Sequence, residues 1–162
     1  MPRPTKAQRR KLKLLKRRPK QKLPTALRRC GPCVACCTTM GVSELEKPFN
    51  APCEHMGTGC DIYATRPQSC QVFECLWLQG HGRPEHRPDR LGITLDLTVK
   101  DGPLGRAGEV IVAREVVYGS AGNPIVEVFL AQLSKGVPVY LMCRDGRRAI
   151  WQQGRIKQAK MP

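Results

Sequence analysis

CGPCVACC at residues 30–37, followed by single cysteines at 53, 60, 70 and 75, is the stretch around which the rest of the chain is arranged. Eight of the nine cysteines fall within 46 residues, spaced C-x2-C-x2-C-C-x15-C-x6-C-x9-C-x4-C. Two C-x-x-C steps in series let neighbouring thiolates turn inward onto one metal without strain, and later cysteines can close further coordination positions. A hydrophobic core needs no such density of a reactive residue. The spacing therefore points to metal ligation by Cys30, Cys33, Cys36, Cys37, Cys53, Cys60, Cys70 and Cys75. The competing reading is a disulfide framework. An odd count and a vicinal Cys36-Cys37 pair suit that reading poorly.

CGPCVACC together with CDIYATRPQSCQVFECLWL at residues 60–78 resembles the CxxCxxCC (YkgJ-type) family of zinc- or iron-chelating domain proteins. The resemblance spans residues 30–78 and includes Ile62-Tyr63, Arg66-Pro67, Phe73 and Trp77 between the cysteines. It implies zinc or iron held by thiolates. A similar cysteine-rich segment occurs in flagellin lysine methylases, so the resemblance names a cofactor class rather than a reaction.

Outward from this segment the composition divides the chain. The 162 residues carry 28 Lys and Arg against 13 Asp and Glu, a net charge of +15, and 13 of the basic residues with none of the acids lie in residues 1–29. Beyond them the balance is close to neutral. We read 1–29 as a basic tail, 30–80 as a cysteine-rich metal-binding module, 81–90 as a linker and 91–155 as an α+β half packed on the module. In the tail, Thr5 caps a transient basic helix that Pro19 ends, or the whole segment is a disordered arm. Its charge suits RNA, DNA or an acidic protein surface, bound through phosphate-type contacts. It lacks the aromatic residues that stack bases. The tail also lacks the apolar run of a secretory signal, and no segment reaches transmembrane length. The expected setting is the reducing cytoplasm, where thiols stay free for metal.

Residues 43–46, SELE, predict one helical turn before Pro48, and residues 47–59 a loop. Pro67 opens a helix through about Leu78 that turns Val72, Phe73, Leu76 and Trp77 to the core. On an ideal helix Cys70 and Cys75 stand about 140° apart, so either the helix breaks or the two thiols serve different sites. Residues 80–90, GHGRPEHRPDR, place His81 and His86 in an exposed linker, while His55 beside Cys53 is the better ligand candidate.

From residue 91 the period changes to two. LGITLDLTV sets Ile93, Leu95, Leu97 and Val99 on one face and Thr94, Asp96 and Thr98 on the other. EVIVAREVV returns as a second strand after a glycine-rich turn. Asn123 caps a helix with Pro124 at its first position, an apolar stripe of Ile125, Val128, Phe129 and Leu133, and Gly136 past its end. VPVYLMC and RRAIWQQ flank an Asp145-Gly146 hairpin turn. The expected fold is a small antiparallel ββαββ sheet with one helix. Cys143 alternates with Leu141 in this half and reads as a buried thiol outside the ligand set.

Thiolate sites of this kind suit three uses. The first is an iron–sulfur or zinc protein with a redox or accessory role, and iron–sulfur is favoured by the compression of four cysteines into eight residues. The second is a structural zinc protein whose tail binds nucleic acid. The third is a metal-dependent modifying enzyme with Asp61 or Glu74 as base. Arg66 is the candidate cofactor-binding residue, donating to cluster sulfurs or pairing with a carboxylate at the helix start.

Overall fold

The computed structural model describes residues 28–101 and 107–160. The basic tail up to residue 27 and the glycine-rich turn at 102–106 lie outside the described residues.

Alternating Val, Ile and Leu positions build a five-stranded sheet in the order β1-β2-β3-β4-β5. Strand β1 (Ile93–Asp101) pairs antiparallel with β2 (Ala107–Glu115), with Leu95 opposite Ala113. The next strand, β3 (Val139–Met142), runs parallel to β2, with Ile111 opposite Val139. A parallel neighbour cannot be reached by a tight turn, and the helix between them supplies the crossover. The pairings of β4 (Arg148–Gln152) with β3 and of β5 (Arg155–Lys160) with β4 are antiparallel. The architecture is thus α+β with a mixed sheet, which corrects the antiparallel ββαββ expectation in two respects. Strand direction around the crossover is not written in the alternation, and a further strand follows β4. Gln153 and Gly154, both at positive φ (52° and 79°), make the tight turn that adds it.

Among the described residues the helices are short except one. They are α1 (Ala35–Thr39), α2 (Gln68–Val72), α3 (Pro88–Leu91) and α4 (Pro124–Leu133). Asn123 caps α4 as expected, its side chain accepting from the Ile125 N–H at 2.9 Å. The buried stripe is Val126, Phe129 and Leu130, whereas Ile125 and Val128 face solvent. Both sets obey helical spacing, and contact with the sheet selects the one that includes Leu130. That stripe packs on Ile93, Leu95, Ile111, Ala113, Val139, Leu141 and Trp151, which share one sheet face by register. Leu97 is partly exposed, at a position where the strand has run beyond this cluster.

The opposite face of β1 is not the polar, solvated surface that Thr94, Asp96 and Thr98 suggest. Thr94 is 1% exposed, and its hydroxyl lies 3.5 Å from that of Thr39 in α1. Asp96 faces Arg114 at 3.9 Å, with the Phe49 ring over the guanidinium. On the helix side, Leu76 enters the core cluster and its N–H donates to the Leu95 carbonyl at 2.9 Å. The cysteine-rich segment therefore straddles the β1 edge and covers backbone that would otherwise be an open template.

This docking explains a second correction. The helix expected from Pro67 to Leu78 ends at Val72, and Phe73 is already extended. Leu76 can reach both the core and the Leu95 carbonyl only once the chain has left the helix. Val72, expected in the core, is exposed, and Phe73 and Trp77 are half-buried. Residues 81–90 also depart from a plain linker. They form a 3-10 turn (Pro84–His86) and α3, and bury Pro88 and Leu91. His86 packs on Phe129 with ring centroids 4.3 Å apart and the ring planes tilted by 52°. Gly92 at φ 76° turns the chain from α3 into β1, where an added Cβ would stand 2.1 Å from Ser120 Oγ.

Candidate metal centre

The first four cysteines are set by one turn and one short helix. Cys33 N–H donates to the Cys30 carbonyl at 3.0 Å across a turn in which Gly31 takes φ 53°. Helix α1 then carries Cys36 and Cys37. Successive helical residues diverge by about 100°, so the vicinal thiols point in different directions. They nevertheless remain within hydrogen-bonding reach of each other. Thr39 Oγ1 bonds back to the Ala35 carbonyl and anchors the helix on β1.

The later cysteines arrive on separate loops, each tied by its backbone. Cys53 N–H donates to the Cys37 carbonyl at 2.9 Å. A bridge pairs Met56 with Cys60 and closes the loop between Cys53 and Cys60. Cys70 rides on α2, whose first turn is held by Glu44. That carboxylate accepts from the Ser69 N–H at 2.9 Å and from its hydroxyl at 2.8 Å. The SELE segment does form one 3-10 turn (Ser43–Leu45), but it is Glu44 that caps, at a distant helix. Cys75 lies beyond the end of α2, so the break in the expected helix lets Cys70 and Cys75 reach the same space.

That space is one cavity of about 190 Å³, walled by all eight cysteines between residues 30 and 75, with Lys47, His55 and Arg66 among the other lining residues. Cys75 is buried and the other seven are half-buried, and all nine cysteines are free thiols. Among the described residues, no three His, Cys, Asp or Glu side chains converge closely enough to chelate an ion as they stand. The thiols surround a void instead of meeting at a point. The donor set fits a thiophilic metal or cluster: eight soft ligands on one cavity, several of them already receiving N–H groups.

The electrostatics follow from burial and from those donors. Burial pushes the Cys33 thiol up to about 11, opposed by main-chain N–H groups of Ala35 and Asp89 directed at its sulfur. Cys30, Cys70 and Cys75 are likewise raised by burial, and N–H groups of Leu78 and Trp77 reach the Cys75 sulfur. Within the vicinal pair, Cys36 holds its proton because it donates to Cys37, and the same bond lowers Cys37. N–H donors favour the thiolate while a dry wall disfavours it. Such thiols release their protons when a metal takes their place.

Arg66 lies at the cavity with its guanidinium 4.1 Å from the Tyr63 ring centroid, and its charge lowers the Cys30 thiol. No carboxylate pairs with it among the described residues. His55 also lines the cavity, 3.5 Å from Glu54. His81 and His86 do not line it. Asp61 and Glu74 are exposed. Cys143 is buried in the sheet core at 6% exposure, away from the other thiols.

Two charged neighbours of the thiols carry no sequence signal. Lys47 is 8% exposed, with Nζ donating to the carbonyls of Met40 and Pro48, and burial lowers its pKa. Asp89, paired with Arg87 at 2.6 Å, stands beside the Cys33 thiol. A lone Lys before Pro and an acid in a proline-rich stretch look like surface residues until the chain folds.

Compared with known proteins, no family model matches the chain, no curated protein matches it, and no solved structure matches it.

Proposed function

We propose that this protein binds metal through the thiolates of Cys30, Cys33, Cys36, Cys37, Cys53, Cys60, Cys70 and Cys75, as an iron–sulfur cluster, zinc or both. One observation carries the reading: eight cysteines spread over 46 residues line a single cavity and form no disulfide. Chance burial of thiols as small hydrophobes would scatter them through the sheet core, as it does Cys143. Iron–sulfur is favoured because the lining is all soft sulfur at the positions of interest, with N–H groups directed at Cys33 and Cys75. A cluster would supply electron transfer or Lewis acidity; the chain supplies ligands, N–H donors to sulfur and a largely apolar wall.

Around that centre, Arg66 is the residue proposed to act on it, holding positive charge beside Cys30. Lys47 adds a buried cation on another side, and both offset the negative charge of gathered thiolates. Free thiols throughout fit a reducing compartment such as the cytoplasm. Among the described residues no helix is long and apolar enough to cross a membrane. The basic arm of residues 1–29 is proposed to hold the protein to a polyanion, either nucleic acid or an acidic protein surface.

The test is elemental analysis with an absorption spectrum on protein purified without oxygen. An iron–sulfur centre gives brown protein with a broad band near ~400 nm that bleaches in air. Colourless protein with stoichiometric zinc and no iron replaces the cluster by structural zinc. Protein that neither carries metal nor takes up iron with sulfide, or zinc, ends the reading.

A further inference from the structure

Resting on the metal-binding reading, we propose that the cavity holds two separate centres, one on Cys30, Cys33, Cys36 and Cys75 and the other on Cys37, Cys53, Cys60 and Cys70. Backbone ties divide six of the eight thiols, and Cys75 and Cys70 complete the two sets by the thiols they stand nearest. In the first quartet, the turn that joins Cys33 to Cys30 leads directly into the start of α1, where Cys36 follows Cys33 by three residues. In the second, the Cys53 N–H sits on the Cys37 carbonyl, and the Met56–Cys60 bridge closes the same loop.

The charges that the thiols feel follow the same division except at Cys36, which borders both quartets. Those acting on Cys37, beyond its neighbour in the chain, are Cys60, Cys53 and Cys70. Those acting on Cys75 are Cys30 and Cys36, and Cys36 is also the thiol that acts on Cys33 and on Cys30. Cys36 acts on Cys70 as well, ahead of Cys53 and Cys60, so it stands where the two quartets meet. The surroundings differ too. Arg66 and Asp89 stand by the first quartet, whereas Lys47 stands by Cys53, Cys37 and Cys70 of the second and, through the shared helix α1, by Cys36.

Two centres also resolve the vicinal pair. Adjacent helical residues diverge by about 100°, which is awkward for two ligands of one ion and natural for one ligand on each of two. A lone tetrahedral zinc, with sulfurs about 2.3 Å away, leaves no void of the observed size among its ligands. Eight thiolates make two complete tetrathiolate sets, each suited to zinc or to one four-iron cluster.

Zinc is the cleanest probe, because it needs no sulfide and is counted directly. The reduced full-length chain, titrated with zinc against a chromophoric chelator, is expected to bind two ions. Cys75→Ser and Cys60→Ser, one from each quartet, should each lose half of the bound zinc, and the double variant should lose all of it. Cys60→Ser with Cys70→Ser, both from one quartet, should lose no more than either alone. Cobalt in place of zinc reports the same count through its thiolate absorption, and far-ultraviolet circular dichroism checks that each variant is folded. Should a variant unfold, the wild-type stoichiometry still decides between two ions and another number. Wild-type protein that binds a single ion, or three in one cooperative step, overturns the division while leaving metal binding intact. So does equal and total loss in every single variant. Wild-type protein that binds no zinc and no cluster overturns the metal reading itself.

Discussion

Leu76→Ala is expected to destabilise the protein strongly, because this residue fixes the cysteine-rich segment to the sheet. Leu76 is 2% exposed and belongs to the core cluster. Truncation removes three buried carbons, worth about 0.8 kcal/mol each by transfer. The cavity left behind brings the expected loss to about 3–4 kcal/mol, within the range of buried Leu→Ala changes. At roughly 3 °C per kcal/mol for a domain of this size, the melting temperature should fall by about 10 °C. The assay is urea and thermal unfolding followed by circular dichroism under reducing conditions. Val72→Ala is the matched control, since Val72 is 66% exposed and should change stability by no more than about 0.5 kcal/mol. Because Leu76 follows Cys75, the destabilised variant should also lose bound metal faster to a chelator. A loss under about 1 kcal/mol, or one equal to the control, would refute the docking argument.

Other expectations follow from the same contacts. Glu115 is 1% exposed and accepts from the Ala121 and Arg144 N–H groups at 3.0 and 2.8 Å. Glu115→Gln leaves one of them facing an amide and should cost about 1–3 kcal/mol, read as a lower urea midpoint; an unchanged midpoint means the carboxylate does not hold that loop. Cys143→Ser should cost on the order of 1–3 kcal/mol through a buried hydroxyl and keep full metal stoichiometry, whereas lost metal would add it to the ligands. Removing residues 1–27, with 11 Lys and Arg, should abolish salt-sensitive polyanion binding without changing metal content. A truncated chain that keeps full affinity at low salt puts that surface in the body. Chelation should raise hydrogen exchange across residues 30–78 more than in β1–β4, since the loops there have few apolar anchors. Equal protection with and without chelator across 30–78 counts against a metal that organises the segment.

Sequence alone determined the elements whose signals are local. Period-two alternation placed β1 and β2, Asn123-Pro124 began α4, and Asp145-Gly146 turned β3 into β4, because caps, turns and alternation act over a few residues. It also singled out the eight cysteines and set Cys143 apart from them, since spacing is itself a sequence property. Tertiary structure decided what depends on contact between distant segments. The parallel pairing of β2 with β3 follows from α4 crossing the sheet. The early end of α2 follows from the demand of Leu76 for the β1 edge, and the buried stripe of α4 from the face that the sheet offers. Thr94, polar by pattern, is buried because α1 lies on it. The cavity is the strongest case: nothing in the one-dimensional spacing brings Cys75 towards Cys30 or Cys53 to Cys37, nor places Lys47 beside them. Chain closure over 16 and 45 positions is determined by long-range hydrogen bonds and burial, which exist only once the segment has wrapped the edge of the sheet.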